Sequence, residues 1–222
     1  MAWIVCIETA TKSCSVALAR DGHLVAVKEE VSEQYSHSEQ LTVSIEQLLQ
    51  QEGLKVSDLD AIAVSSGPGS YTGLRIGVST AKGLCYASDM PLISISTLEA
   101  MSQLMKDKHS NKQLCPMIDA RRMEVYSALF ATDHRTEVVA KIIDEDSFKD
   151  ELAQGPLLFF GDGADKCQDI LTHTNAHFEL GVYPSAIGMI PLAQDKFQNQ
   201  DFEDVAYFEP FYLKDFVAGV KK

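Results

Sequence analysis

One stretch of the chain decides the fold: Ser65-Ser-Gly-Pro-Gly-Ser-Tyr-Thr-Gly-Leu-Arg75. It follows a short apolar run that predicts a buried strand, and it leads into a helix predicted over residues 71–87. A glycine-rich turn from a strand into a helix presents backbone N–H groups at a positive helix end. Gly67, Gly69 and Ser70 are therefore candidates for contact with a phosphate or a carboxylate. The Lys-Ser/Thr ending of a P-loop is absent, so a purely structural tight turn is the alternative.

The same α/β order extends in both directions from this turn. Upstream, the sequence predicts three antiparallel strands over residues 4–7, 14–19 and 23–31, with a hairpin turn at Asp21-Gly22. A helix is predicted from Ser36 or Ser38 to about Gln51, and a strand and a helix follow at 91–95 and 98–106. The second half predicts strands at 114–118, 124–130, 136–143 and 157–160, a short helix begun by Asp144-Glu-Asp146, helices at 162–171 and 184–196, and an extended tail at 208–217.

The two halves share a loose order of strands, helix, strand and helix. This order predicts an α/β protein of two related lobes, residues 1–106 and 107–222, in which each lobe is a mixed sheet with flanking helices and a cleft lies between them. The second lobe is the smaller, and its C-terminal tail is able to pack back on the first lobe.

The net charge of −13 excludes two classes of function. A nucleic-acid binder acting alone needs clustered Lys and Arg, and adhesion to anionic lipid needs the same. No apolar run approaches the ~20 residues of a membrane span, and the N-terminus lacks a signal peptide's basic region. The five cysteines are scattered without Cys-x-x-Cys spacing, which predicts reduced core thiols in a cytoplasmic protein.

The first hairpin reads Ile7-Glu-Thr-Ala-Thr-Lys-Ser13. An acid, two hydroxyls and a lysine at a turn between strands make Glu8, Thr9, Thr11 and Lys12 candidates for holding a nucleotide phosphate and its metal. An ordinary polar hairpin is the alternative.

Small residues recur every four positions in the helix that follows the glycine-rich turn. Gly73, Gly77 and Ala81 lie on one face, and glycine inside a helix costs ~1 kcal/mol relative to alanine. Close approach of another helix would compensate that cost. The sequence leaves open whether that helix belongs to a partner or to the same lobe.

Positive signals for catalysis or for a bound metal are few. Asp119-Ala-Arg-Arg122 is either a cleft-facing group or a salt-bridged corner, and the corner is preferred. His173 and His177 have helical ligand spacing without an acid between them, so no zinc site is predicted. Neither His-Glu-x-x-His nor Gly-x-Ser-x-Gly occurs, and no catalytic or metal-binding residue is assigned.

Taken in series, the motifs resemble those of the bacterial TsaB (YeaZ) family of tRNA threonylcarbamoyladenosine biosynthesis proteins. The longer matching segments are Ile4–Leu18, Ser66–Leu84, Ile95–Ala100 and Ile118–Tyr126; the shorter ones are Phe160–Ala164, Tyr183–Ala186 and Pro210–Lys214. The resemblance covers nearly the whole chain, and the long glycine motif is its most specific part.

The resemblance implies a fold, a function and partners. The fold is the two-lobed actin-like ATPase (ASKHA) fold. The function is that of a non-catalytic subunit that binds and activates the paralogue TsaD, which transfers threonylcarbamoyl to adenosine 37 of tRNAs reading codons that begin with A. TsaE joins the complex, tRNA is reached only through it, and the chain alone forms a homodimer. No cofactor is bound tightly, although ATP or ADP at the subunit junction is compatible with the family.

Family members associate through helices of the first lobe. The resemblance therefore assigns Gly73, Gly77, Ala81, Leu41 and Ile45 to partner binding. It also implies that TsaD replaces the second copy of the homodimer, so the two contacts exclude each other.

One departure from the family pattern concerns the first hairpin. The family usually has Asp where this chain has Glu8, and active members of the superfamily carry Asp-x-Gly-Thr where this chain reads Glu8-Thr-Ala-Thr11. The missing glycine and the longer acid disfavour independent ATP hydrolysis. An independently active ATPase or glycoprotease-like peptidase of the same fold is the alternative.

Overall fold

The structure, a computed structural model, describes residues 1–32, 37–131 and 134–214. The strands of the first sheet are Trp3–Glu8 (β1), Ser13–Arg20 (β2), His23–Val31 (β3), Ala61–Gly67 (β4) and Leu92–Ser96 (β5). Those of the second sheet are Gln113–Asp119 (β6), Glu124–Ser127 (β7), Val139–Ile142 (β8), Leu157–Phe160 (β9) and Ala176–Glu179 (β10). The α-helices are His37–Gln51 (α1), Tyr71–Ser88 (α2), Thr97–Lys106 (α3), Lys149–Gln154 (α4) and Ile190–Gln198 (α5).

The two sheets repeat one topology. The first has the order β3-β2-β1-β4-β5, and the second has the equivalent order β8-β7-β6-β9-β10. In each, a three-stranded antiparallel meander is followed by two strands parallel to its first strand. The meander of the first sheet turns at Asp21 and Gly22, whose φ angles of 51° and 78° suit an Asp-Gly hairpin. The predicted fold of two mixed-sheet lobes with flanking helices is confirmed.

Helices α1 and α2 cover one face of the first sheet. The apolar side of α1, including Leu41, Ile45 and Leu48, packs with Val78 of α2 and with the strands in one buried cluster. Each such Leu or Ile contributes ~1.5–3 kcal/mol on burial, so these positions fix α1 against the sheet. The side chains at these positions are buried and are therefore not available for contact with a second molecule.

The C-terminal part of the chain returns to the first sheet. A 3₁₀ turn at Ala186–Met189 and helix α5 cover the face opposite α1 and α2, where Met189, Ile190 and Ala193 join a buried cluster with Ile4 of β1. Further along, Glu203 forms an isolated bridge with Leu92 of β5. Residues 186–214 therefore pack largely on the first lobe, and the second sheet is built from the chain between them and α3.

Several predicted boundaries are wrong in the second half of the sequence. The segment 162–171 is not an α-helix: it holds a short 3₁₀ turn at Asp165–Cys167, because Gly161 and Gly163 lie against the backbone of β6 and force a tight path. Strand β10 was not predicted, because it is an edge strand of only four half-buried residues, too short for its alternation of apolar and polar residues to stand out. The acids at 144–146 precede α4 instead of opening it.

Two helix starts also differ from the prediction. Helix α1 begins at His37, so Ser38 lies inside it and does not cap it, while Ser36 falls outside the described residues. Helix α5 begins at Ile190, after the 3₁₀ turn, and not at residue 184. The predicted extended tail is described only to residue 214, where it has no regular secondary structure.

The five cysteines are all buried free thiols, as predicted. Burial raises the pKa of Cys6 to about 12, so that thiol stays protonated and unreactive. Among the described residues, none of the helices has the length and apolar composition that crossing a bilayer requires.

Candidate functional site

Two turns meet at one edge of the first sheet. Strands β1 and β4 are parallel neighbours, so the turn after β1 and the glycine-rich turn after β4 emerge side by side. The N–H of Ser70 donates to the carbonyl oxygen of Ala10 at 2.6 Å. The hydroxyl of Thr9 donates to the carbonyl oxygen of Gly73 at 2.8 Å, inside the first turn of α2. The structure thus brings together the two segments that the sequence nominated as anion contacts.

The glycines of this region allow the first hairpin to lie directly on α2. A Cβ at Gly69 would come within 3.0 Å of Ala10, and one at Gly73 or Gly77 would come within 3.0 Å of Thr9. No side chain fits at these positions without a shift of the backbone or of the Thr9 hydroxyl. The glycine motif is therefore explained by close packing of this chain against itself.

Several donors that would cradle an anion are already used by the protein. Ser70 caps α2 by accepting from the N–H of Gly73 at 3.3 Å, and its own N–H is bound to Ala10. The N–H of Ala10 donates to Oε1 of Glu8 at 2.6 Å. This arrangement is the structural tight turn that the sequence left as the alternative. Nucleotide or anion contact stays a prediction for all seven residues nominated by the sequence: Glu8, Thr9, Thr11, Lys12, Gly67, Gly69 and Ser70.

Glu8 has an unusual environment for a carboxyl group. It is fully buried, and its Oε2 has no hydrogen-bond partner among the residues that the structure describes. Burial raises the pKa of Glu8 to about 7, and the N–H of Ala10 only partly opposes that rise. An acid turned inward to cap its own turn, and half-neutral at neutral pH, is poorly placed to hold a metal ion. In the described part of the chain, no cluster of three or more His, Cys, Asp or Glu side chains is arranged for metal binding.

The small-residue stripe of α2 lies inside the protein. Gly73, Gly77 and Ala81 are buried and face the first hairpin and the core. Leu41 and Ile45 are likewise buried, at 1% and 3% exposure. The prediction that these five residues form a surface available to a partner is therefore wrong, and the internal packing that the sequence left open is correct for the stripe.

A second set of small residues occupies the outer face of the same helix. Ser79, Gly83 and Ala87 are exposed and again four residues apart, and a Cβ at Gly83 would meet nothing within 4 Å. Tyr86 beside them is 86% exposed. The sequence contained this signal, because α2 carries small residues in two registers, but spacing alone does not tell which register faces the core.

An apolar groove adjoins this outer face. It has a volume of about 410 Å³ and lies between α1, α2 and the 3₁₀ turn at Val56–Asp58. Its apolar walls come from Leu49 of α1, from Leu84 of α2 and from Leu54, which lies between α1 and the 3₁₀ turn. Glu46 and Lys55 add charges to its lining. Together, Ser79, Gly83, Tyr86, Ala87 and this groove form what we call the α1/α2 outer face.

The C-terminal segment crosses α2 and the glycine-rich turn. Lys82 donates to the carbonyl oxygens of Ala206 and Phe208 at 3.1 and 3.0 Å. The N–H of Phe211 donates to the carbonyl oxygen of Ser66 at 2.7 Å. Further along, Lys214 pairs with Glu124 of β7. The segment thus connects the first lobe to the second, and we call residues 206–214 the C-terminal strap.

The Asp119 corner lies at the β6–β7 turn of the second lobe. Asp119 pairs with Lys166 and accepts from the N–H of Arg121 at 3.0 Å, so the predicted salt bridge exists. Its cation is Lys166, however, and not an arginine of the motif. Burial raises the pKa of Asp162, which accepts from the N–H of Asp119, to about 6.

Two lobes with the same strand order, the first of which begins with a tight hairpin, define a class of protein: that of the two-lobed actin-like ATPase fold. Solved structures agree: YeaZ from Pseudomonas aeruginosa superposes with a TM-score of 0.84 at 24% identity, covering 96% of this chain and 100% of the other. The ethanolamine utilization protein EutJ from Carboxydothermus hydrogenoformans superposes at 0.53 and 10% identity, with 86% and 90% coverage.

Sequence comparison narrows the class to a family. Residues 29–221 match the family described as TsaD: tRNA N6-adenosine threonylcarbamoyltransferase. The tRNA threonylcarbamoyladenosine biosynthesis protein TsaB of Escherichia coli K12 is 32% identical over 98% of this chain and 97% of its own length. That of Haemophilus influenzae is 28% identical over 98% and 96%. The chain belongs to the TsaB (YeaZ) family, within the wider group that this family description covers.

Proposed function

We propose that this chain is a non-catalytic partner subunit of tRNA threonylcarbamoyladenosine biosynthesis. It binds and activates TsaD for threonylcarbamoyl transfer to adenosine 37 of tRNAs that read codons beginning with A. The observation that carries the proposal is the whole-length match to TsaB relatives. Catalysis takes place in TsaD, TsaE joins the complex, and tRNA is bound through the complex.

The closed hairpin supports the assignment of an accessory role. Enzymes of this fold class place phosphate and metal at the turn after the first strand. In this chain Ala10 contacts Gly69 there, and Glu8 caps its own turn. Because contacts within the chain occupy this turn, we infer that the chemistry takes place in a partner. Any ATP or ADP would then lie at the junction with the partner.

The α1/α2 outer face is the surface we assign to TsaD. Small residues at Ser79, Gly83 and Ala87 permit a second helix to approach closely, and the adjoining apolar groove accepts its side chains. The exposed ring of Tyr86 is the type of residue that anchors interfaces. A second copy of this chain occupies the same face when TsaD is absent, so homodimer and heterodimer are mutually exclusive.

The test is reconstitution with TsaD, TsaC and TsaE, in which modified tRNA is measured with and without this chain. Gly83→Leu places bulk on an open, exposed position, so the variant folds but keeps a partner helix at a distance. We expect it to lose TsaD binding by calorimetry and to lose stimulation. Tyr86→Ala should weaken the affinity for TsaD at least about tenfold, as truncation of an interface anchor does.

Ile142→Ala is the control, because Ile142 is an apolar residue that is 70% exposed and lies on β8 of the second lobe. It should leave TsaD affinity unchanged. Full stimulation by Gly83→Leu would place the interface elsewhere. Turnover of ATP or of a peptide by the purified chain, without TsaD, would favour the alternative of an independent enzyme of the same fold.

A further inference from the structure

The β6–β7 turn of the second lobe holds two arginines in a backbone conformation that arginine rarely adopts. Arg121 and Arg122 have φ angles of 70° and 50°, both left-handed. The β2–β3 hairpin also has two residues with positive φ angles, but these are Asp21 and Gly22, which adopt such angles readily. Left-handed backbone costs a non-glycine residue roughly 1–2 kcal/mol, so Arg-Arg is an unfavourable choice for the turn itself. A role for the two arginine side chains would account for their presence at this turn.

Both guanidinium groups are available for a ligand. Arg121 and Arg122 are exposed, and within the described residues neither guanidinium forms a hydrogen bond or an ion pair. The other cations near the turn are engaged: Lys166 pairs with Asp119 and Lys214 with Glu124. These two pairs neutralise Asp119 and Glu124, which flank the two arginines in the sequence.

Hydrogen bonds from neighbouring residues fix the backbone of the turn that carries Arg121 and Arg122. Lys166 donates to the carbonyl oxygens of Arg122 and Glu124 at 2.6 and 2.7 Å, and the N–H of Ala120 donates to the carbonyl oxygen of Glu124 at 3.0 Å. Asp119 accepts from the N–H of Arg121. The backbone of the pair is thus fixed before any ligand arrives, which lowers the entropy cost of binding.

We propose that Arg121 and Arg122 bind phosphodiester groups of the tRNA when the chain is assembled with the transferase. The inference rests on the proposed function, which supplies the polyanion. Arginine presents a planar fork that matches a phosphate with two parallel hydrogen bonds, and it stays charged at every physiological pH. Two forks on adjacent residues of a fixed turn suit successive phosphates of one strand.

The acidity of the rest of the chain is consistent with this role. A net charge of −13 repels RNA over most of the surface, so the chain alone binds tRNA weakly. A basic turn on an acidic surface therefore helps to orient an RNA that TsaD already holds. It adds contacts and position but no sequence discrimination, because phosphate contacts carry none.

The experiment measures tRNA binding by the reconstituted complex between about 50 and about 200 mM salt, a range in which phosphate contacts dominate the change. We expect Arg121→Gln/Arg122→Gln to weaken binding of all substrate tRNAs alike and to reduce the slope of log affinity against log salt by about 1 for each arginine. Arg121→Lys/Arg122→Lys should retain most of the slope. Arg121→Asn/Arg122→Gly should raise the free energy of unfolding yet lose the same tRNA affinity.

Arg20→Gln/Arg135→Gln is the charge-matched control, since both arginines are exposed but contact this chain's own Met1, Trp3 and Glu99. It should leave the slope unchanged. An unchanged slope for Arg121→Gln/Arg122→Gln in a complex that still stimulates transfer would overturn the inference alone. A loss of TsaD binding with normal tRNA affinity would show a protein carboxylate as the ligand and would also overturn it. Failure of the wild-type chain to stimulate TsaD would instead remove the proposed function.

Discussion

The hydroxyl of Thr9 donates a 2.8 Å hydrogen bond to the carbonyl oxygen of Gly73, so the first hairpin of the chain is bound directly to the first turn of α2. Thr9 is fully buried, and the glycines beneath it leave no room for another helix. The long glycine motif, which is the most specific part of the sequence, therefore joins two segments of one lobe. In the complex that we propose, the motif would affect the partner only through the position that it gives to α2.

Substitution of Gly77 and of Gly83, which lie on the same helix, should change the free energy of unfolding in opposite directions. Gly77→Ala brings a Cβ within 3.0 Å of the Thr9 hydroxyl, so we expect it to lower the free energy of unfolding by about 1–3 kcal/mol, as overpacking does. Gly83→Ala meets open space and should raise it by up to about 1 kcal/mol, because alanine is the better helix former. Urea denaturation of both variants measures the difference. Equal effects at the two positions would contradict the assignment of inner and outer faces.

Elements with strong local signals were predictable from the sequence. The Asp21-Gly22 turn specifies its own geometry, and α2 has a cap at Ser70 and a long periodic pattern. What failed depended on distant segments. Gly161 gives no sign in the sequence that β6 lies against it, and the edge strand β10 is supported only by pairing with β9.

The candidate site divides in the same way. Sequence identified the first hairpin and the glycine-rich turn, because both carry unusual residue types next to apolar strands. It could not tell that they pack on each other, since contact between Ala10 and Ser70 spans two separate strands. For the segment Asp119–Arg122, the sequence favoured a salt-bridged corner over a cleft-facing group, because the positive φ angles of Arg121 and Arg122 are visible only in the structure.

The pKa of Glu8 predicts a pH-dependent stability. The carboxyl has an ordinary value of 4.5 and a value of about 7 in the folded protein, so the folded state binds more protons than the unfolded state between these values. The free energy of unfolding therefore falls as the pH rises from 4.5 to 7, by as much as about 3 kcal/mol, and the loss persists above pH 7.

Glu8→Gln should remove this contribution, because glutamine keeps the oxygen that accepts from Ala10 and does not ionise. We expect the variant to exceed the wild type in stability at about pH 8 and to approach it at about pH 4.5, by urea denaturation at each pH. Glu52→Gln, at an exposed position, controls for the loss of one negative charge. A wild-type stability that rises between these pH values relative to Glu8→Gln would reverse the sign.

The closed hairpin predicts that the purified chain does not hydrolyse ATP. The N–H of Ala10 is bound to Glu8 and that of Ser70 to Ala10, so neither is free for a phosphate. Phosphate release should stay at the level of a buffer control across preparations. A kcat near the ~10 s⁻¹ median of enzymes that disappears in Glu8→Ala would show that the turn opens to bind nucleotide and metal.

The last prediction concerns Lys82, which holds the C-terminal strap on α2. Its ammonium group donates to the carbonyl oxygens of Ala206 and Phe208, whereas Arg75 of α2 donates further along the strap, to the hydroxyl of Tyr212 at 3.2 Å. Lys82→Met keeps the apolar stem but removes both hydrogen bonds, each worth roughly 1.5–3 kcal/mol for a charged donor and less at an exposed site. Amides between residues 206 and 212 should then exchange with deuterium faster, while those of the β1–β2 meander stay protected. The control is Lys149→Met, because the cation of Lys149 pairs with exposed Asp146 in the second lobe. This variant should leave the strap unchanged. If Lys82→Met exchanged like the wild type across 206–212, the strap would be held instead by the Phe211–Ser66 hydrogen bond and by the contacts of Tyr212 with Arg75 and with the tilted ring of Tyr71.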